Sequence, residues 1–259
     1  MASRTPFFIA ALLNAAVAVL VAIGLILPAP TEPTPERPSS TTSAAPTQKG
    51  PAEEQAEEAT PAPSIAPDIA EALAALESLE VKGRAPKTGY EREEFGQAWS
   101  DDVTVEFGHN GCDTRNDILR RDLDPESLVL KEGTHDCVAL SGTLHDPYSG
   151  QDIEFQRGAQ TSRAVQIDHV VPLADAWQKG AQQWSPEKRR DFANDPRNLL
   201  AVDGPLNQQK GAGDAATWLP PNKGFRCEYA RRIVEVKAAY GVWVTAAEKD
   251  ALRQLLNAC

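Results

Sequence analysis

Gln166-Ile167-Asp168-His169-Val170-Val171-Pro172-Leu173 sets an acid and an imidazole side by side after a short β-branched run. Asn198-Leu199-Leu200-Ala201-Val202 and then Gly204-Pro205-Leu206-Asn207-Gln208-Gln209-Lys210 follow it. The apolar runs around Ile167 and Leu200 read as strands. The segment between them reads as a long helical insertion, and the segment after Gly204-Pro205 as a helix. The order strand, helical insertion, strand, helix decides the centre of the fold. Asn207 and Lys210 are three apart and share one face of that last helix. Asp168 and Asn207 are hard oxygen donors of the kind Mg²⁺ prefers. His169 has the proton affinity to take a proton from water, and Lys210 adds positive charge where negative charge would develop. Together these are the parts needed to hydrolyse a phosphodiester bond.

Working outward, helices are expected over Leu173–Gln183 and Ser185–Asn194, the second with Ser185 as N-cap and Pro186 in the first turn. Asp195-Pro196-Arg197 reads as a turn that sets Asn198 in place. Towards the C-terminus, helices are expected over Cys227–Tyr240 and Ala246–Asn257, with Thr245 and Glu248 as a capping box. Upstream, Cys137–Leu144 and Ile153–Phe155 read as a hairpin across Asp146-Pro147-Tyr148-Ser149-Gly150, and Asp68–Leu79 as a helix. If the last two helices pack antiparallel, Cys227 and Cys259 meet, which leaves Cys112 to pair with Cys137. Arg115 is a candidate phosphate contact or a partner in a buried ion pair. Lys188-Arg189-Arg190 and Arg231-Arg232 are either a DNA-facing surface or solvated helix faces. Trp177, Trp184 and Trp218 read as core, and His109, His135 and His145 as ordinary surface histidines.

The spacing D-H-V-V-P-L, N-L-L-A-V, N-Q-Q-K resembles the ββα-metal finger of HNH endonucleases. The wider segment, from about residue 80 to 259, resembles exported HNH proteins related to the C-terminal domain of GmrSD restriction endonucleases. Tyr90–Trp99, Gly111–Leu119, Asp146–Gly150 and the 168–210 block carry that likeness, with Trp218-Leu219-Pro220-Pro221 and the last two cysteines. The resemblance implies an α+β fold: a ββα finger, with its core at about 164–215, embedded in a mainly helical, disulfide-linked domain with an N-proximal β-hairpin. It implies His169 as general base, Asp168 and Asn207 as holders of one divalent cation, Asn198 as the brace that orients the histidine, and Lys210 close to the metal or the scissile phosphate. Asn207 stands where the family name has its last histidine, which favours Mg²⁺ or Mn²⁺ over a transition metal.

The remainder of the chain concerns placement. Phe7–Leu27 is uncharged, with Asn14 its one polar interruption. A helix of that length is about 30 Å long, enough to span a bilayer, so residues 1–27 read as a transmembrane anchor or signal segment. Residues 28–67 hold 10 of the 20 prolines and read as a disordered linker. Residues 68–259 then form the domain. The net charge of −11 argues against a protein that coats nucleic acid, yet residues 157–237 carry 13 basic and 9 acidic side chains. The expected function is metal-dependent DNA hydrolysis of low sequence specificity outside the cytoplasmic membrane, by a membrane-anchored or secreted enzyme. No obligate protein partner is evident. The alternatives are a non-catalytic envelope-binding domain that keeps the fold, or a phosphodiesterase acting on RNA or another polymer.

Overall fold

The computed structural model describes residues 67–259. The apolar segment and the linker up to residue 66 lie outside the described residues; among the described residues no helix is long and apolar enough to cross a membrane. The elements run α1 (Pro67–Ser78), α2 (Thr114–Asp122), β1 (Val129–Leu130), β2 (Ala139–His145), β3 (Asp152–Gln156), β4 (Val165–His169), α3 (Leu173–Gln178), α4 (Pro186–Asn194), β5 (Leu199–Asp203), α5 (Gly204–Lys210), α6 (Arg226–Tyr240) and α7 (Ala246–Asn257). The class is α+β, with two antiparallel sheets of order β1-β2-β3 and β4-β5.

The β4-β5 pair sits between two apolar clusters. Its register sets Ile167 opposite Ala201 and His169 opposite Leu199. Side chains alternate along a strand, so Val165, Ile167, Leu199 and Ala201 pack with Ile118 and Leu119 of α2 and Phe155 of β3. Leu200 and Val202 turn the other way, into the helical core of α1, α3, α4, α6 and α7. A strand buried on both faces has no room for an alternating polar side, which is why Leu199–Val202 is continuously apolar.

The hairpin forms over Ala139–His145 and Asp152–Gln156, and β1 adds a third, two-residue strand that no sequence signal marked. Its turn is knotted by Asp146, whose carboxylate accepts from the amides of Ser149 (2.7 Å) and Asp203 (2.9 Å), tying the hairpin to the end of β5. Side-chain caps open α2 (Asp113), α4 (Ser185), α5 (Asp203) and α7 (Thr245). Both disulfides pair as expected: Cys112–Cys137 pins the start of α2 to the start of the hairpin, and Cys227–Cys259 joins the antiparallel α6 and α7.

Two local expectations need correction. The helix expected over Leu173–Gln183 stops at Gln178. Gly180 takes φ +128°, with the Trp243 ring packed where a side chain would go, and a 3-10 turn (Ala181–Gln183) follows. Only half of the capping box forms. Thr245 accepts from the Glu248 amide, but the Glu248 carboxylate turns inward to Lys179 (2.7 Å) and Lys237 (2.9 Å).

Candidate active site

Among the described residues β4 has a strand partner on one side only, so its other edge is open. The consecutive residues 166–169 line a cleft of about 480 Å³, with Asn207 of α5, Arg115 of α2, and Lys87, Arg92 and Trp99 from the segment before α2. An edge explains why neighbours in sequence reach one cavity although their side chains alternate between faces.

Asp168 is buried, and its two oxygens differ. Oδ2 accepts from the Tyr148 hydroxyl and from Lys210 Nζ, each at 2.5 Å. Oδ1 makes no hydrogen bond among the described residues, and the residue lines the cleft. Burial, and after it the charge of Asp168, pushes the Tyr148 hydroxyl well above the ordinary phenol range, so it keeps its proton and donates. Lys210 Nζ also donates to the His169 carbonyl at 2.6 Å. Burial lowers its pKa against the opposing pull of Asp168. Lys210 therefore ties the carboxylate of one residue to the backbone of the next. Its ammonium is sealed behind Asp168 and does not line the cleft.

His169 Nε2 lies 2.9 Å from the Ala193 carbonyl. A carbonyl only accepts, so Nε2 carries the proton and Nδ1 is bare. Burial, and then the positive charge of Arg92, lowers the pKa to about 3, so the ring is neutral near pH 7. The Trp99 indole lies nearly parallel to it, with 15° between planes and 6.1 Å between centroids.

Asn198 is fully buried and makes no hydrogen bond to the His169 ring. Its Oδ1 accepts from the Val171 amide (2.8 Å), its Nδ2 donates to the carbonyls of Val171 (3.3 Å) and Phe192 (3.4 Å), and its own carbonyl accepts from the Val170 amide (2.8 Å). It holds the loop leaving His169 against the end of α4, which carries Ala193. Asn207 donates from Nδ2 to Gln166 Oε1 at 3.0 Å, which leaves its Oδ1 uncommitted. Arg115 makes a long contact of 3.4 Å to the Val165 carbonyl and no ion pair among the described residues.

The structure thus brings Asp168, His169, Asn207 and Arg115 to one cleft and sets Lys210 and Asn198 behind them as supports. Cys112–Cys137 lies beside the start of α2 and steadies the helix that carries Arg115, while Cys227–Cys259 lies on the helical side. The basic runs do not face the cleft. Arg189 binds Glu94, Arg190 binds Asp102, and Arg231 and Arg232 bind Glu228. Tyr148, Arg92 and Trp99 are site residues that sequence reasoning missed. Each lay in a block that carried the family likeness, but nothing in its spacing gave it a role. Among the described residues no three His, Cys, Asp or Glu side chains cluster to hold a metal. The oxygen donors left open at the cleft are Asp168 Oδ1 and Asn207 Oδ1.

A family model described as the GmrSD restriction endonuclease C-terminal domain matches residues 113–255. The chain is also 37% identical over 201 residues to a protein of Arthroderma benhamiae named "Uncharacterized secreted protein", covering 77% of this chain and 90% of that one. No solved structure matches the chain.

Proposed function

The chain belongs to the GmrSD restriction endonuclease C-terminal domain family, and from that premise we propose that it is an HNH-type, metal-dependent endonuclease that hydrolyses DNA phosphodiester bonds. The observation that carries this reading is His169: a neutral imidazole with Nε2–H committed to Ala193 and Nδ1 bare, one residue from a carboxylate with one oxygen left open. A nuclease needs that base, in that protonation state, beside an anion-neutralising site.

β4 pairs with β5, and α5 follows β5, an order that supports reading the three as a ββα finger. Asp168 Oδ1 and Asn207 Oδ1 fit one Mg²⁺ or Mn²⁺, because they are hard oxygens, few in number, and leave room for water and phosphate. The cation would polarise a phosphoryl oxygen and offset the charge that develops on the leaving oxygen. His169 Nδ1 accepts the proton of the attacking water, while the Nε2–H bond to Ala193 spreads the charge it gains. Arg115 neutralises phosphate at the cleft wall. Lys210 and Tyr148 hold Asp168 in one rotamer, and Asn198 holds the loop that positions His169. None of these contacts reads a base, which fits low sequence specificity.

The two disulfides support an oxidising compartment, and the Arthroderma benhamiae relative carries the word secreted in its name. With residues 1–27 as an anchor or signal segment and 28–67 as a linker, the domain acts outside the cytoplasmic membrane. The test is plasmid cleavage in Mg²⁺ or Mn²⁺ by wild type and His169→Ala, with thermal unfolding as the folding control. Wild type should nick plasmid, and the variant should lose at least about a hundredfold in rate while unfolding cooperatively. A folded wild-type protein that leaves DNA intact in both metals would overturn the proposal.

A further inference from the structure

A second cavity adjoins the cleft and differs from it in character. It measures about 180 Å³, and Phe95, Leu173 and Ala193 give it a mainly apolar lining. The two cavities share Trp99, His169, Arg92 and Leu173, so these four residues form the partition between them. The smaller space is close in size to a cavity of about 150 Å³ that takes up one benzene ring, which suits one planar ring system and not a base pair.

Trp99 is the unusual member of the partition. It takes φ +58°, a conformation rare for a bulky residue. The strained loop is pinned to the start of α2: the Thr114 amide donates to the Trp99 carbonyl (3.2 Å), and the Thr114 hydroxyl to the Ser100 carbonyl (3.0 Å). A strained backbone persists where the surrounding structure over-determines it, commonly at a binding site. Here the strain sets an indole against His169, half-buried between a polar and an apolar space. Arg92 of the same segment has no ion pair among the described residues and faces both cavities.

We propose that Trp99 and the apolar cavity form a subsite for one unpaired nucleobase beside the scissile phosphate, with Arg92 and Arg115 on the flanking backbone, so that the enzyme prefers single-stranded or locally opened DNA to closed duplex. This rests on the nuclease reading of the cleft and adds the form of the substrate to it. In a closed duplex each base face is covered by its neighbours, and only an unstacked base can offer a face to the indole. The small cavity admits such a base while its phosphate lies in the larger, polar cleft.

The test is equilibrium binding by fluorescence anisotropy in EDTA, which separates recognition from turnover. The probes are a short fluorescein-labelled DNA strand, the blunt duplex of the same sequence, and a base-free sugar–phosphate strand of equal length. Wild type should bind the single strand about tenfold more tightly than either other probe. Trp99→Ala should lose about tenfold on the normal strand and nothing on the base-free one, and Trp99→Phe should retain most of the affinity. Arg92→Gln should weaken every probe and flatten the salt dependence by about one charge. Equal binding of strand, duplex and base-free backbone by wild type overturns the base subsite without touching the nuclease reading, and needs no variant to fold. A Trp99→Ala loss that is the same on the base-free strand overturns it too, by making Trp99 merely structural. Absence of binding to every probe, together with no plasmid cleavage in Mg²⁺ or Mn²⁺, removes the nuclease reading and the subsite with it.

Discussion

Asp168 divides its work between two oxygens, and the division depends on Tyr148. With Tyr148 and Lys210 both on Oδ2, the carboxylate cannot rotate without breaking two buried hydrogen bonds and leaving the Tyr148 hydroxyl unpaired. Tyr148→Phe keeps the ring among Trp218, Phe225 and Tyr229 and removes only the hydroxyl. A hydrogen bond to a charged group contributes about 1.5–3 kcal/mol, so urea unfolding should show a loss of about 2 kcal/mol, with kcat lowered through the freed carboxylate. His169 makes a second, pH-dependent statement. Its folded pKa of about 3 lies below the ordinary histidine value near 6.5. Between those values the unfolded chain binds a proton that the folded protein does not, so stability falls as pH falls through that window, by about 1.4 kcal/mol per unit. Metal-free protein unfolded in urea at pH 7, 5 and 4 should lose that increment in wild type and not in His169→Gln; parallel curves would contradict the buried neutral imidazole. That Asp168, His169 and Asn207 share one cleft was legible in the sequence because they are concentrated in one motif. Tyr148 was not, because an aromatic residue in a turn reads as core, and nothing local marks a hydroxyl aimed at a carboxylate twenty residues on.

At the scale of elements, the junction of β5 and α5 governs the site, because α5 carries both Asn207 and Lys210. Asp203 caps the helix from the last position of the strand, so the change of direction leaves no residue for a loop. Gly204 makes that possible. A Cβ there would lie 2.1 Å from the Arg163 carbonyl, and its amide donates to the Ala164 carbonyl at 2.9 Å. Gly204→Ala must push α5 away from β4, since the obstruction is backbone. The expected result is a loss of about 1–3 kcal/mol, typical of overpacking, and, under the proposed metal role of Asn207, weakened Mg²⁺ binding by calorimetry as Asn207 moves from Asp168. Unchanged metal affinity would mean that the strand end absorbs the shift. The strand–helix alternation here was legible because Gly204-Pro205 punctuates it, and the caps at Ser185 and Thr245 were legible from residue type. The break at Gly180 was not, because its cause is the ring of Trp243, far along the chain. The missing half of the capping box has the same origin: burial and two lysines compete for Glu248 more strongly than its own helix does.

Those lysines belong to a cluster that organises the whole domain. Asp175 of α3, Asp214 after α5 and Glu248 of α7 meet Lys179 after α3, Lys237 of α6 and Arg84 of the N-proximal segment. All but Arg84 are buried. Three acids face three bases, so the cluster is neutral although the chain is strongly acidic. The Asp175 and Asp214 carboxyls, against the cost of burial, sit below the usual carboxylate range because these cations face them. None of this was legible as a unit: each charge reads as solvent-facing, and only packing of α3, α6 and α7 brings them together. The cluster is also joined to the site through the chain, since α3, which carries Asp175, begins four residues after His169. Lys179→Met keeps the length of the side chain and removes its charge, leaving three buried carboxylates facing buried Lys237 and the partly exposed Arg84. Breaking a buried pair from one side costs about 3–5 kcal/mol, comparable with the roughly 3 kcal/mol expected from opening Cys227–Cys259. Urea unfolding of Lys179→Met, of the Cys227→Ser/Cys259→Ser pair, and of the combination measures both. Because Glu248 and Cys259 both anchor α7, the combined loss should differ from the sum of the separate ones. A Lys179→Met cost below about 1 kcal/mol would mean that water reaches the cluster and that the helices, not the charges, hold α3 in place beneath His169.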